Sequence, residues 1–192
     1  DEVSSAEVLG WTDEEIRDWI VQMCKMECHN ESYFEDKYLR LLKVRETLNK
    51  RVLDYGCGMG LYSLMFAKNG NEVFVADIVE DNVKVARRVL HAFGYPANNE
   101  VRINNGFEFV CPEIDIFYST GVLHHTPYFR EILLCANQCL ADNGEIRLML
   151  YTDKLFEKMT GASVGRVDED IQKHAYFKKY VRMCDSVGFY SD

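Results

Sequence analysis

Proline is scarce in this chain, at three residues in 192, and there is no C-x-x-C pair, internal repeat or low-complexity tract. No apolar run approaches the ~18–20 residues that would cross a bilayer, so no membrane partner is expected. Nothing near Asp1 has the basic-then-apolar layout of a signal peptide. The first residue is Asp rather than Met, so the chain reads as an excised or processed segment. Positive charge is in deficit: 22 basic against 31 acidic residues leave a net charge of −9. Phosphate backbones are gripped by clustered Lys and Arg, so that balance argues against nucleic acid as the main partner. The short basic pairs Arg87-Arg88 and Lys178-Lys179 read as solvated helix faces. Seven cysteines, at 24, 28, 57, 111, 135, 139 and 184, form an odd set. Cys28-His29 invites a zinc reading, but the usual ligand spacing is missing. Buried thiols of a reduced, cytoplasmic protein are the better account, and no metal is expected.

What remains is a chain of ordinary globular composition, 47% hydrophobic, long enough for one domain with a sizeable core. The first fifty residues read as a helical cap. Thr12 and Glu15 make a capping box ahead of Ile16, Trp19, Ile20 and Met23, and a second helical stretch runs from about Ser32 to Leu48. From residue 51 to 151 strands and helices alternate. Strand Arg51–Asp54 precedes helix Leu61–Lys68, stopped by Asn69-Gly70, and strand Glu72–Ala76 precedes helix Asp81–Phe93, stopped by Gly94. Strands Val101–Asn105 and Asp115–Ser119 follow, then a helix from Thr126-Pro127 to Leu140 and strand Glu145–Tyr151. This alternation predicts an α/β fold, a doubly wound and mostly parallel sheet, with ligands at the carboxyl ends of the strands. Residues 152–192 read as a lid and a C-terminal helix, Asp168 to Val187, of the same domain.

At the first of those carboxyl ends stands Asp54-Tyr55-Gly56-Cys57-Gly58-Met59-Gly60. Glycine is required where the backbone takes positive φ or where a ligand lies on the main chain. Three glycines between a strand and a helix put a small molecule on the backbone at the positive end of the helix. The dinucleotide fingerprint needs its third glycine at the sixth position, which here is Leu61. Asp77 ends the second strand, 23 residues after Asp54, where a carboxylate can accept hydrogen bonds from both ribose hydroxyls; with the glycine loop upstream, that reading is favoured over capping of the next turn. The run Ser119-Thr120-Gly121-Val122-Leu123-His124-His125-Thr126-Pro127 follows the fourth strand.

The D-x-G-x-G-x-G loop, the S-T-G-V-L-H-H-T-P run and Asn143-Gly144-Glu145 opening the last strand together resemble class I S-adenosylmethionine (SAM) methyltransferases that act on small molecules. The resemblance spans about residues 51–151. It implies a Rossmann-like class I fold, SAM as cofactor and S-adenosylhomocysteine as product. It implies that Asp54, Tyr55, Gly56, Cys57, Gly58 and Gly60 hold the methionine portion, largely through the backbone. Asp77 would take the ribose, Ile78 would pack on adenine, and Ser119 and Thr120 would line the sulfonium end. The family's aspartate after the third strand is missing. Asn104-Asn105-Gly106-Phe107 stands there, so either Asn105 offers its side-chain oxygen or Phe107 stacks on the ring.

A protonated oxygen or nitrogen nucleophile needs a base as well as alignment. With an ordinary pKa of ~6.5, histidine suits that task, and His124 and His125 are the candidates; capping of the following helix is the competing role. Tyr118, Tyr128 and Tyr151 are weaker candidates. The fourth strand lacks both the planar-amine grip of base-modifying enzymes and a Pro-Cys nucleophile, which favours a small-molecule acceptor. The aromatics Trp11, Trp19, Tyr33, Phe34, Tyr38, Phe156, Tyr176 and Phe177 either line its pocket or build core. Related enzymes end in an antiparallel hairpin for which the chain has scarcely room, so that hairpin is expected to be absent or truncated. A homo-oligomer mate or another partner would then cover the sheet edge. The alternative function is a catalytically silent SAM-binding domain of a larger assembly; a nicotinamide oxidoreductase is disfavoured by Leu61.

Overall fold

A computed structural model describes residues 3–27 and 43–150. Two helices come first, α1 (Ser5–Leu9) and α2 (Asp13–Glu27). The alternating part is β1 (Arg51–Tyr55), α3 (Leu61–Lys68), β2 (Glu72–Ala76), α4 (Glu80–Ala92) and β3 (Ile114–Thr120), followed by a 3-10 turn (Leu123–His125), α5 (Phe129–Cys139) and β4 (Leu140–Met149). The strands lie in the order β2-β1-β3-β4 and every pair is parallel. The chain winds outward from β1 to β2, then returns past β1 to β3. The crevice for a ligand opens where that direction reverses.

Why the sheet is buried on both sides follows from side-chain alternation. Val52, Val73, Val75, Ile116 and Tyr118 face α3 and α4, meeting Phe66, Ala67, Val83, Ala86 and Leu90. Leu53, Tyr55, Phe74, Ala76 and Phe117 face the other way, meeting Ile132, Ala136 and Cys139 of α5 together with Val101 and Phe109. Fully burying one such side chain contributes ~1.5–3 kcal/mol, so register is strongly specified.

The N-terminal helices form an outer layer on α3 and α4, with Val8, Ile16 and Ile20 against Leu64, Val85 and Val89. Their starts are capped as the side chains allow: Thr12 and Glu15 close the expected box, and Ser4 with Glu7 closes a second one ahead of α1. Arg88 of α4 clamps them in place, donating from Nη1 to the Leu9 carbonyl (2.7 Å) and from Nη2 to the Trp11 carbonyl (2.5 Å). Arg17 answers from α2, donating to the Ala92 carbonyl at 2.7 Å and so satisfying the end of α4. Trp11 and Trp19 meet edge to face at 5.6 Å within this layer. They build core and do not line the sheet crevice.

Four expected elements differ. Val101–Asn105 is no strand. Only a bridge between Val75 and Glu100 forms beside β2, and the chain then turns through Asn105 and Gly106, both at positive φ. α5 starts at Phe129 rather than Thr126, because Val122 to His125 close a 3-10 turn first; Thr126 Oγ1 accepts the Tyr128 N–H instead. β4 begins at Leu140, and a register shift opposite Ile114 and Ile116 absorbs Ala141–Gly144 before regular pairing resumes at Glu145. Residues 43–46 form a turn; the rest of the Ser32–Leu48 reading, the lid, the C-terminal helix and the hairpin lie outside the described residues. Tyr33, Phe34, Tyr38, Tyr151, Phe156, Tyr176 and Phe177 lie outside them too.

Candidate active site

The carboxyl ends of β1, β2 and β3 are level, with Asp54 paired to Tyr118 and Tyr55 to Ala76. The loop leaving β1 is tied to β2 by two N–H groups, of Gly56 (2.7 Å) and Cys57 (3.0 Å), on the Ala76 carbonyl. Gly56, Gly58 and Gly60 all take positive φ, at +78°, +50° and +83°. Their neighbours separate their roles. A Cβ on Gly56 would lie 2.3 Å from Val122 Cγ2, and one on Gly60 would lie 2.7 Å from Ala86 Cα. Those two glycines admit the histidine-bearing turn and α4. A Cβ on Gly58 would meet nothing within 4 Å, so Gly58 alone presents bare backbone to open space. Gly60 therefore does the helix-packing work that the dinucleotide fingerprint gives to its sixth position.

Two carboxylates border this loop. Asp54 is 2% exposed and accepts the Ser63 hydroxyl at 2.5 Å. Burial pushes its pKa up to about 7, against the Ser63 bond, and the charge of Asp77 adds to the rise. Asp77 accepts the Gly58 N–H on Oδ2 and the Val79 N–H on Oδ1, both at 2.9 Å. It thus caps the turn and orients the loop at once. Ile78 beside it is 63% exposed, free to cover a flat ring. The Cys57 side chain packs into the core below, and burial followed by the Asp54 and Asp77 charges raises its thiol pKa. Tyr55 likewise points into the core, 5.3 Å from Phe109 and 5.4 Å from Phe117, so both residues reach the crevice by backbone only.

Beyond β2, Asn105 donates its amide N–H to Glu108 at 2.7 Å, leaving its side-chain oxygen as the group on offer. Phe107 packs against Tyr128, with ring centroids 4.8 Å apart and planes tilted by 36°, and Gly106 lies under the same tyrosine. One face of Phe107 is therefore occupied, and Tyr128 joins the candidate wall.

At the end of β3, Ser119 is 1% exposed and its Oγ has no hydrogen-bond partner among the described residues. Tyr118 and Thr120 point to the opposite face. Their hydroxyls approach each other, lowering the Tyr118 pKa against a larger rise from burial, yet neither completes a hydrogen bond of good geometry. Buried hydroxyls without partners cost stability unless water or a ligand satisfies them. His124 and His125 follow, their rings 3.9 Å apart. Burial lowers both pKa values to about 4, with the neighbouring His125 adding to the effect on His124. Both imidazoles are consequently neutral at pH 7. A base so far below neutrality is weaker than the ordinary histidine expected from sequence.

The crevice thus gathers Asp54, Gly58, Asp77, Ile78, Ser119 and the histidine turn. Three participants were not anticipated: Ser63, Val122 and Ala86. A requirement for glycine signals that something lies close, without saying what.

The crevice offers main-chain groups at Gly58, the Ser119 hydroxyl and neutral imidazoles, with acidic side chains at its border, a set of groups whose chemistry suits a cationic ligand better than a pyrophosphate.

The family model described as the methyltransferase domain matches residues 26–188. The fold is similar to that of an S-adenosylmethionine-dependent methyltransferase from Clostridium acetobutylicum ATCC 824, at TM-score 0.55 and 10% identity over 72% of this chain and 61% of that one. It is also similar to a candidate methyltransferase from Bacillus halodurans C-125, at TM-score 0.51 and 22% identity over 74% of this chain and 57% of that one. The chain therefore spans less than two thirds of either structure's length. No relative of this sequence was found among curated proteins.

Proposed function

Because the chain belongs to the methyltransferase domain family, we propose that it binds SAM at the carboxyl ends of β1, β2 and β3 and methylates an O, N or C atom of a small molecule. The observation that carries the reading is the open backbone at Gly58, bordered by Asp54 and Asp77. When bound, SAM supplies a methyl group already activated by its sulfonium. The residues of this chain bind, orient and exclude water. The Gly58 loop takes the methionine portion by main-chain contact, with the buried Asp54 carboxyl beneath it. Asp77 holds the ribose while keeping the loop closed on its N–H. Ile78 and the Phe107–Tyr128 pair cover the adenine, and Asn105 offers it a side-chain oxygen. Ser119 offers its hydroxyl near the sulfonium end, whereas Thr120 turns toward Tyr118 on the other face of the sheet.

His124 and His125 stand beside that end as neutral imidazoles. A neutral imidazole adds no positive charge near the sulfonium beforehand, accepts a hydrogen bond from the acceptor and takes its proton as the methyl moves, so that the charge given up by the sulfonium ends on the imidazolium. Alignment of nucleophile and methyl can supply ~7–11 kcal/mol of barrier reduction, so positioning leads and the base assists. The test is binding followed by mutation. SAM and S-adenosylhomocysteine should both bind, Asp77→Ala should weaken that binding, and His124→Ala should spare it while reducing turnover. Loss of neither property in these variants would dismiss the site.

A further inference from the structure

The turn that carries the two histidines rests on the glycine loop through one side chain, Val122. Both methyl groups and the Cβ of Val122 occupy the position that a side chain on Gly56 would take, at 2.3, 2.7 and 2.9 Å from its Cβ. Each partner is pinned from behind. Gly56 and Cys57 donate to the Ala76 carbonyl, so the loop cannot retreat from β2. Gly121, at φ +72°, donates to the Met149 carbonyl at 2.9 Å, which fixes the start of the turn on β4. The Val122 carbonyl accepts the His125 N–H at 2.9 Å and so closes the 3-10 turn whose residues include both histidines. Val122 also packs against the core cluster of Leu53, Phe117 and Leu123, so its side chain is held in place.

Resting on the function proposed above, we propose that Val122 is a positioning residue, which couples the cofactor loop to the His124–His125 turn through its contact with Gly56. Close-packed contacts transmit displacement and do not absorb it. Ligand seated on the glycine loop presses on Gly56, Gly56 bears on Val122, and Val122 carries the turn. The absence of a side chain at Gly56 is then a requirement of this contact, while ligand access is the task of Gly58.

The test uses the full chain labelled with 15N-histidine, with His124→Gln and His125→Gln assigning the two imidazoles in long-range 1H–15N spectra. S-adenosylhomocysteine is the probe, and calorimetry measures its affinity in parallel. In wild type, saturation should shift both imidazole signals. In Val122→Ala, affinity should stay within about threefold of wild type, while the shifts fall to roughly half or less. Val122→Thr, which keeps the branched shape, should restore them. Val122→Leu keeps the bulk but moves the branch off Cβ, and it should change the histidine signals before any ligand is added. Wild-type shifts retained in Val122→Ala, or unchanged ligand-free signals in Val122→Leu, would overturn the coupling while the proposed function stands. Failure of wild type to bind the probe at all would overturn the function and the coupling together.

Discussion

Replacing Gly58 and Gly60 with alanine separately should produce opposite profiles, although both are glycines of one loop two residues apart. Each holds positive φ, at +50° and +83°, so alanine at either site carries ~1–2 kcal/mol of backbone strain. At Gly58 that is the whole structural cost, since the new methyl enters open space. At Gly60 the methyl meets Ala86 Cα at 2.7 Å and Ala86 Cβ at 2.9 Å. Backbone cannot swing aside like a flexible side chain, so overpacking adds ~1–3 kcal/mol there. The totals are about 1–2 kcal/mol for Gly58→Ala and about 2–5 kcal/mol for Gly60→Ala. For a chain of this size each kcal/mol lowers Tm by about 2–4 °C, giving losses of about 2–8 °C and about 4–20 °C. Thermal unfolding followed by circular dichroism reads this directly, and calorimetry with S-adenosylhomocysteine reads the site. Gly58→Ala should remain folded and lose ligand; Gly60→Ala should lose most stability. Equal losses of Tm, or undiminished binding by Gly58→Ala, would refute the division of roles.

Other perturbations follow from the same geometry. Asp54 has a folded pKa of about 7, above its ordinary 3.8, so its contribution to stability is full below the unfolded value and is lost as pH rises through about 7. Urea unfolding at about pH 5 and pH 8 should show Asp54→Asn gaining on wild type at the higher pH; a constant difference would contradict this. The histidines work in the opposite sense. Their folded pKa of about 4 lies below the ordinary 6.5, so their contribution is full above 6.5 and lost as pH falls toward 4. NMR titration of His124 and His125 should find both neutral at pH 6, and a midpoint at the ordinary value would refute their burial. Arg88→Ala removes the bonds to the Leu9 and Trp11 carbonyls and should cost about 1–3 kcal/mol. Hydrogen exchange should quicken in α1 and the start of α2 more than in β1; uniform exchange would count against the clamp.

Much of the fold was legible because its signals are local. Leu61–Lys68 and Glu72–Ala76 carry their own stops, in Asn69-Gly70 and the charged residues flanking the apolar run, and their boundaries agree with the sequence reading. Val101–Asn105 failed because strand pairing is decided by a neighbour: beyond Glu100 the chain leaves β2 and turns through Asn105 and Gly106. Thr126-Pro127 has the chemistry of a helix start, yet Thr126 is extended and its Oγ1 accepts the Tyr128 N–H, so α5 begins only at Phe129. In the site, Asp54, Gly58 and Asp77 lie together at the ends of β1 and β2. The readings that needed refinement depend on tertiary partners. Gly56 and Gly60 serve Val122 and Ala86, Phe107 leans on Tyr128, and burial strips the histidines of ordinary basicity. Sequence names such residues without saying what lies against them.

The most direct test of the central claim is calorimetric titration of the full chain with SAM and with S-adenosylhomocysteine, repeated with Asp77→Ala. The account predicts micromolar binding of both by wild type and clear weakening in the variant. Absence of binding by wild type, or equal affinity in Asp77→Ala, would contradict it.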